Sequence, residues 1–381
     1  MIFGLLGAVF MLPYIVLLLA YKRGWEAASA PLANGRPHCN SLTIVVPARN
    51  EAKGIADCLL SLISNNYPAA LREIILIDDF SEDETAETAA RILANNNGRV
   101  LRLAHYLSPS ERLNSYKKKA LEIAIGEAKG DWIVTTDADC LLPENWLATM
   151  NAQINDQVQF MAAPVDFTPA NARRNLVYYF QSLDFMTMQG ITAASAALDM
   201  GNMCNGANLA FRKTAYEAVN GYKGIDHIAS GDDMLLMYKI KKQFPAGIRY
   251  LKSEEAIVRT PAQPDWASFL NQRIRWSSKA DKYDDKKLIW VLGLVYLFNF
   301  YLLALFFVAM CRPGLWKFWV GMVFAKTTAE LAFLYPVARF YGKIKELWVF
   351  PLLQPLHILY IVLAGFLGKF GTYKWKGRKV K

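Results

Sequence analysis

Apolar segments long enough to cross a lipid bilayer occupy both ends of this 381-residue chain. Residues 1–20 carry no charged side chain and are followed at once by Lys22 and Arg23. After Asp285 the sequence becomes apolar again in three stretches, 288–310, 316–337 and 348–367. Because a helix of about 20 apolar residues spans the hydrocarbon core, the pattern predicts an integral membrane protein and excludes a wholly soluble one.

The N-terminal segment, residues 1–22, is predicted to be an uncleaved membrane anchor with its N-terminus outside. A cleaved signal peptide is the alternative, but there the charges precede the apolar run and a small-residue cleavage site closes it. Here Lys22 and Arg23 follow the run. The positive-inside rule then places the chain that follows them in the cytoplasm.

The C-terminal region, 288–368, is predicted to form transmembrane or interfacial helices, followed by a basic tail at 369–381. Lys326 and Glu330 have the i,i+4 spacing of a helical ion pair within the second stretch. The third stretch contains two prolines, Pro351 and Pro355. If all three stretches crossed the membrane, the basic tail would finish outside, against the positive-inside rule. The third stretch is therefore expected to be interfacial or re-entrant.

Charge, cysteine and histidine content narrow the function classes. The formal net charge is +10, but the basic residues cluster beside the apolar segments rather than in a stripe, so we expect no nucleic-acid partner. The five cysteines are dispersed and the four histidines lie near no cysteine cluster. This predicts reduced thiols and no zinc site. Any metal would be held by carboxylates, which favour Mg²⁺ or Mn²⁺.

The region between the apolar ends, 41–283, has the pattern of an α/β domain. Three short apolar runs are typical of buried strands, at 42–47, 73–78 and 131–137. Two amphipathic stretches are predicted to be helices, 51–66 and 83–97. Strands that alternate with helices indicate βαβ units and a mostly parallel sheet.

Acidic residues follow the first two strand-like runs. The segment PARNE, at 47–51, ends the first run, and Asp78 and Asp79 end the second. Ligands of open α/β sheets bind outside the carboxyl ends of the strands, so both segments are expected to line one crevice. An acidic side chain there can accept hydrogen bonds from a nucleobase or a ribose. The alternative is an Asp pair that caps the following helix.

Two carboxylates, Asp137 and Asp139, end the third run with one residue between them. Placed at a strand terminus, such a pair can reach one divalent cation and the phosphates that the cation bridges. The alternative is an acidic turn without a ligand. Because this pair ends an apolar strand and follows an earlier acidic strand end, the pattern favours a metal site.

Two further motifs lie downstream. Gly231-Asp232-Asp233 precedes an apolar run, so its acids either interact with a helix N-terminus or supply a general base. The segment QRIRW, at 272–276, lies just before the C-terminal apolar stretches. Its arginines carry fork-like donors for phosphate oxygens and its tryptophan can stack on a sugar. The alternative is a juxtamembrane amphipathic helix with snorkelling arginines.

In this order, the segments PARNE, DDFSED, TTDADC, GNMCNGANLAFRK, GDD and QRIRW resemble the membrane-bound glycosyltransferases of family 2. The resemblance spans about residues 41–280. It implies a GT-A fold, which is a Rossmann-like α/β domain with a mostly parallel sheet, here between N- and C-terminal transmembrane helices. It also implies a nucleotide-sugar donor, a UDP-sugar by family default, with Mg²⁺ or Mn²⁺ as the cofactor.

The resemblance assigns donor-side roles to individual residues. The nucleoside part of the donor would be held by Pro47, Arg49, Glu51 and Asp79. Lys117 matches a lysine of the family, although Glu122 stands where the family usually has Asn. Asp137 and Asp139 would bind the diphosphate and the metal. The residues expected to close over the donor diphosphate and the acceptor are Gln272, Arg273, Arg275 and Trp276.

On the acceptor side the resemblance implies that Asp233 is the catalytic base. The acceptor-side residues would be Asn205, Gly206, Asn208 and Asp232, for which a plain turn is the alternative. The implied reaction is one inverting displacement, in which Asp233 removes a proton from the attacking hydroxyl. The metal and Arg275 would stabilise the departing nucleoside diphosphate.

The predicted function is sugar transfer to a lipid or lipid-linked acceptor at the cytoplasmic face of the plasma (inner) membrane. A processive β-polysaccharide synthase that exports its glycan is an alternative. Its export channel would need more than the four or so spans expected from segments of about 20 residues, unless a homo-oligomer supplied them. A non-catalytic nucleotide-binding membrane protein would require every acidic position to be structural.

Overall fold

A computed structural model of the protein describes residues 2–28, 39–108, 113–170, 174–200, 203–228, 230–278, 285–371, 373–375 and 378–380. The chain divides into two compact units. The α/β unit comprises Ser29–Thr168 and Met203–Pro261. The helical unit comprises Met1–Ala28, Pro169–Asn202 and Ala262–Lys381.

Helices and strands alternate through the middle of the chain. The helices are α1 (Ile2–Ala27), α2 (Ile55–Ile63), α3 (Thr85–Leu93), α4 (Tyr116–Glu127), α5 (Trp146–Asn151), α6 (Leu176–Leu198), α7 (Lys213–Ala218), α8 (Met234–Gln243), α9 (Trp266–Ser277), α10 (Lys286–Cys311), α11 (Trp316–Phe340) and α12 (Phe350–Phe370). The strands are β1 (Leu42–Ala48), β2 (Arg72–Asp78), β3 (Gly98–Arg102), β4 (Trp132–Thr135), β5 (Phe160–Ala162), β6 (Val165–Thr168), β7 (Leu209–Arg212), β8 (Ile248–Tyr250), β9 (Val258–Pro261), β10 (Tyr373–Trp375) and β11 (Arg378–Val380).

The α/β unit is built on a sheet with the strand order β3-β2-β1-β4-β7-β5-β8. β7 runs antiparallel to both of its neighbours, and the other pairs in this sheet are parallel. β6 and β9 form a separate parallel pair. The mostly parallel α/β fold is thus confirmed, and the three strand-like runs of the sequence correspond to β1, β2 and β4.

Continuous apolar runs form the central strands because these strands are buried on both faces. Ile44, Val45 and Val46 are fully buried in succession along β1. A strand with one solvated face would alternate instead, so this pattern is typical of a covered parallel sheet. The predicted helices also form, as the shorter α2 and α3.

Strands β1 and β4 part at their carboxyl ends. Their last paired residues are Val45 and Thr135, whereas β1 continues beside β2 as far as Ala48. Pro47 lies beyond the last pair with β4, and by strand alternation its nitrogen faces that side. Its missing N–H therefore removes no ladder hydrogen bond, which explains why a proline is tolerated in a central strand. A crevice at the carboxyl edge follows from this separation.

In the helical unit three described helices are long and apolar enough to cross a membrane, over Phe3–Ala27, Lys286–Cys311 and Phe350–Phe370. The first agrees with the predicted anchor and the second with the stretch 288–310. The stretch 316–337 forms the 25-residue α11 but is not among the three, because Lys326 and Glu330 in its middle lower its hydropathy.

The two prolines do not interrupt the third stretch. It forms the continuous 21-residue helix α12. Pro351 lies in the first turn of this helix, where an N–H has no intrahelical partner to lose. Pro355 lies within the helix without ending it.

A polar clamp joins α1, α11 and α12. The ammonium of Lys326, which is 0% exposed, donates to Glu330 Oε1 at 2.7 Å and to Gln354 Oε1 at 2.9 Å. Gln354 Nε2 donates to Glu330 Oε2 at 2.5 Å, and the Tyr14 hydroxyl also donates to this carboxylate. The predicted pair Lys326 and Glu330 therefore forms, buried and supplied with additional hydrogen bonds. Buried charges persist where partners of this kind satisfy them.

Removing one charge of the polar clamp is expected to destabilise the protein more than removing both. Lys326→Met leaves the Glu330 carboxylate buried without its cation, which costs about 3–5 kcal/mol of unfolding free energy. The double variant Lys326→Met, Glu330→Leu removes the unpaired charge and is expected to recover much of this loss. Denaturant unfolding in nanodiscs measures both, with the exposed Lys317→Met on the same helix as the control. A double variant no more stable than Lys326→Met would contradict the clamp.

Candidate active site

The loops that follow β1 and β2 are joined to each other. Arg49 Nη1 donates to the backbone carbonyls of Asp79 at 2.7 Å and Phe80 at 3.0 Å. The Asn50 N–H donates to Ser81 Oγ at 3.0 Å. Asn50 and Phe80 have φ values of 53° and 54°, a left-handed conformation that is uncommon outside glycine. These two loops form one hydrogen-bonded rim at the carboxyl edge of the sheet.

The acidic residues of this rim are held in place by burial and by hydrogen bonds. Asp78 and Asp79 are 6% and 3% exposed. The Asp78 carboxylate accepts from the Ser81 N–H at 3.3 Å, so it stabilises the turn. The Glu51 N–H donates to Thr85 Oγ1 at 2.8 Å, which ties the PARNE segment to the start of α3. The predicted nucleoside-side residues are thereby brought together on one rim, with Pro47 beside them at the end of β1.

An acidic cluster lies at the ends of β4, α4 and α8, and Lys117 joins its parts. Lys117 Nζ is 3.1 Å from Asp137 Oδ1 and 3.2 Å from Asp232 Oδ2. Burial alone would lower the pKa of Lys117, but the carboxylates of Asp137, Asp232 and Asp233 outweigh burial and hold this pKa above its ordinary value. Lys117 therefore stays cationic and links the DxD segment to the GDD segment.

Asp233 occupies the N-terminus of α8. Its Oδ1 accepts from the Met234 N–H at 2.7 Å, and its Oδ2 accepts from the Gly206 N–H at 3.0 Å. The Gly206 carbonyl in turn accepts from Thr135 Oγ1 at 2.9 Å. Each carboxylate oxygen has a second lone pair, so the helix-capping role and a role as proton acceptor are compatible.

Asn208 has a structural role that differs from its predicted one. It is 0% exposed, and its amide nitrogen donates to the carbonyls of Pro164 at 2.7 Å and Ala256 at 2.8 Å. Its amide oxygen accepts from Trp146 Nε1 at 2.9 Å. These bonds give Asn208 a structural role, and its predicted role on the acceptor side stays a prediction. Asn205, whose carbonyl accepts from the Asn208 N–H at 3.0 Å, begins the turn that presents Gly206 to Asp233.

Asp137 and Asp139 are both partly exposed at the end of β4. Within the described ranges no group of three or more His, Cys, Asp or Glu side chains is arranged to hold a metal. A hard cation in a phosphate site needs only one or two carboxylates, together with substrate phosphates and water, and this pair fits that donor set. Burial, with Asp139 and Asp137 nearby, raises the pKa of the Cys140 thiol.

The QRIRW segment lies on α9 in the helical unit, where Arg273 is buried and 2% exposed. Its Nε donates to Asp184 Oδ2 at 2.8 Å, and Nη1 donates to Gln272 Oε1 at 2.7 Å. Its guanidinium carbon lies 4.2 Å from the ring centroid of Trp276 and 4.7 Å from that of Phe269. Arg273 therefore forms an internal ion pair with Asp184, and its contact with a diphosphate stays a prediction. Three predicted residues of the segment are partly exposed, Gln272, Arg275 and Trp276.

One residue near the acidic cluster was missed. Lys118 is 1% exposed, and its ammonium donates to three backbone carbonyls of the segment that leads to Asp232. The run of three consecutive lysines, 117–119, would ordinarily indicate a solvent-exposed helix face. However, Lys118 shares its helix face with Leu121 and Ile125, at i+3 and i+7, and both are buried. This spacing of apolar residues is the sequence signal that could have predicted the burial of Lys118.

Comparison with known proteins gives the family. A family model described as "Glycosyltransferase like family 2" matches residues 37–278. Glycosyltransferase AglE of Haloferax volcanii is 26% identical over 225 residues, which cover 58% of this chain and 67% of that protein. An N-acetylglucosaminyltransferase of Rhizobium meliloti is 24% identical, over 69% of this chain and 63% of that protein.

A poly-beta-1,6-N-acetyl-D-glucosamine synthase of Staphylococcus epidermidis is 24% identical, over 62% of this chain and only 53% of that protein. The chain thus spans less than two thirds of the length of some relatives that it matches.

A solved structure shares the fold. The mannosyltransferase PcManGT of Pyrobaculum calidifontis, in complex with GDP-Man and Mn²⁺, matches with a TM-score of 0.58 and 16% identity, over 96% of this chain and 99% of that chain. This likeness agrees with the GT-A expectation for the fold. The family match covers well over half of the sequence, and the chain therefore belongs to glycosyltransferase-like family 2.

Proposed function

We propose that this enzyme transfers a sugar from a nucleotide sugar, a UDP-sugar by family default, to a lipid or lipid-linked acceptor with inversion at the anomeric carbon. The observation that carries the proposal is the cluster in which Lys117 links Asp137 to Asp232. It combines a cation with carboxylates from two segments at the carboxyl edge of the sheet, where ligands of such sheets bind.

The donor is assigned to the two groups of residues along this edge. The rim residues Pro47, Arg49, Glu51 and Asp79 would hold the nucleoside. Asp137 and Asp139 would hold Mg²⁺ or Mn²⁺ together with the diphosphate. When bound, the cation supplies positive charge that stabilises the leaving diphosphate. The mannosyltransferase that shares the fold was solved with GDP-Man and Mn²⁺, which supports a donor of this class.

Asp233 is assigned as the general base. It takes the proton of the acceptor hydroxyl while that oxygen attacks the anomeric carbon, and the bond to the diphosphate breaks in the same displacement. The bonds from Gly206 and Met234 to Asp233 fix the carboxylate before substrate arrives. Such preorganisation lowers the cost of reaching the transition state. Gln272, Arg275 and Trp276 remain proposed donor-side or acceptor-side residues.

A membrane acceptor is supported by the helices Phe3–Ala27, Lys286–Cys311 and Phe350–Phe370, which are long and apolar enough to cross a bilayer. We place the catalytic unit in the cytoplasm at the plasma (inner) membrane. The similarity to a poly-beta-1,6-N-acetyl-D-glucosamine synthase favours a processive polymerase as the second candidate function, with a homo-oligomer able to supply further helices.

Product size is expected to separate the two candidate functions. Full-length protein in nanodiscs, given labelled UDP-sugars, Mg²⁺ or Mn²⁺ and a membrane lipid extract, should yield a single-sugar product that partitions into organic solvent. Chromatography by mass and extraction measure this. A water-soluble ladder of high mass would replace the proposed function with the polymerase.

Asp233→Asn is expected to lower kcat by about 10²–10⁴-fold, because an amide cannot take the proton of the acceptor. Binding of the nucleotide, measured by calorimetry with UDP and GDP as probes, should be retained. Asp285→Asn is the matched control, since Asp285 also caps a helix, α10, through the Lys287 N–H at 2.9 Å. Equal turnover of wild type and Asp233→Asn would refute the assignment of the base.

Removal of divalent metal by EDTA is expected to abolish transfer, and Mn²⁺ or Mg²⁺ should restore it. Asp139→Asn is expected to raise the half-saturating metal concentration by about tenfold or more, because losing even an outer-shell partner of a ligand typically costs about 10–100-fold in metal affinity. Asp139 is the better variant because Asp137 also pairs with Lys117. Titration of activity with each metal measures the shift, and full activity in EDTA would contradict the metal site.

A further inference from the structure

We infer that Lys118 is a positioning residue, whose buried ammonium holds the Asp232–Asp233 pair in place through the backbone of the segment that precedes it. The inference rests on the proposed function and adds to it a residue without direct contact to substrate.

The ammonium of Lys118 donates to three backbone carbonyl oxygens. Nζ lies 2.6 Å from the Ile225 carbonyl oxygen, 2.6 Å from that of Ile228 and 3.1 Å from that of Ser230. An ammonium has three N–H donors, and these three carbonyls accept from it. A charge buried at 1% exposure is stable only where polar groups of this kind meet it. Lys118 therefore holds the end of the segment nearest to the acids.

This segment has no helix or strand of its own over its described residues, 221–228 and 230. It ends at Gly231, whose φ of +79° turns the chain sharply. Asp232 and Asp233 follow at once, and the Gly231 carbonyl accepts from the Leu235 N–H at 3.1 Å to begin α8. Consecutive Cα atoms are about 3.8 Å apart, so an anchor at Ser230 lies within two or three residues of both acids.

Lys117 and Lys118 hold the same part of the chain from neighbouring positions. Both lie in the first turn of α4, which packs against β1 and β2. Lys117 contacts the Asp232 carboxylate, whereas Lys118 contacts the backbone before it. The two side chains thus fix the acidic pair relative to the central sheet, one through charge and the other through chain position.

A matched control exists in the same segment. Lys239 on α8 donates to the carbonyls of Gly221 at 2.5 Å and Lys223 at 2.7 Å. Like Lys118 it is a lysine that ties this segment through backbone oxygens, but it does so eight or more residues before the acids and is partly exposed. If a fall in kcat came merely from loosening this segment, it would appear in both Lys118→Met and Lys239→Met.

Without the Lys118 ammonium, three buried carbonyls lose their donor and the segment must move to find others. Displacing a base by about 1 Å can cost on the order of 10²-fold in rate. The nucleoside rim, which lies on other loops, should keep its affinity. The expected signature is therefore a fall in kcat with unchanged nucleotide binding.

The test compares Lys118→Met, Lys118→Arg and Lys239→Met in the full-length protein in nanodiscs. Transfer kinetics, calorimetry with UDP and GDP in Mn²⁺, and backbone hydrogen exchange are measured for each. Lys118→Met is expected to lower kcat by about 10²-fold with unchanged nucleotide affinity, and to speed exchange selectively over residues 231–237. Lys118→Arg keeps the charge and is expected to retain part of kcat. Lys239→Met is expected to match wild type in kcat.

A kcat for Lys118→Met equal to that of wild type would overturn the inference. So would a parallel loss of nucleotide binding and of exchange protection throughout the α/β unit, since that indicates a general role in folding. If Lys118→Met does not fold, Lys118→Arg provides the same comparison. If wild type transfers no sugar at all, the proposed function fails. Hydrogen exchange still decides the inference in that case, because faster exchange confined to 231–237 supports it and unchanged exchange refutes it.

Discussion

The parallel pairing of β1 with β2 and β4 is the constraint on which the candidate site depends. It brings the carboxyl ends of these strands to one edge, while the early end of the β1–β4 pairing, at Val45 and Thr135, separates the loops there. A row of charged residues is then concentrated on that edge. Mutual repulsion of Asp137, Asp232 and Asp233 would oppose this arrangement, and the cation of Lys117 offsets it.

Away from this edge, two buried cations are also held by several partners each. Lys326 is held by Glu330 and Gln354, and Arg273 by Asp184 and two aromatic rings. Replacing such groups by apolar residues of similar volume is often tolerated. Each of these charges is satisfied by partners that the fold brings from other helices or from a distant turn of the same helix.

Sequence alone located three of the strands, β1, β2 and β4, and the acids that follow them, because these features are local and follow period or spacing. It could not show contacts that depend on a distant partner. Arg273 was expected at a diphosphate, but its partner Asp184 lies 89 positions earlier in the chain. Asn208 was expected at an acceptor, but its amide bonds to residues 44 and 48 positions away. No local pattern carries that information, whereas the buried face of α4 would have revealed Lys118.

The order of strands in the large sheet has a consequence for biosynthesis. β7 lies between β4 and β5 in the sheet, yet in the chain it follows α6, which belongs to the helical unit. During N-to-C synthesis, β4 and β5 therefore emerge without the strand that joins them, and the ribosome must deliver a 23-residue helix before that strand appears. The large sheet cannot be completed until α6 and then β7 have left the exit tunnel. Assembly of the two units is thus interleaved in time, and no contiguous stretch of the gene encodes the complete sheet without that helix.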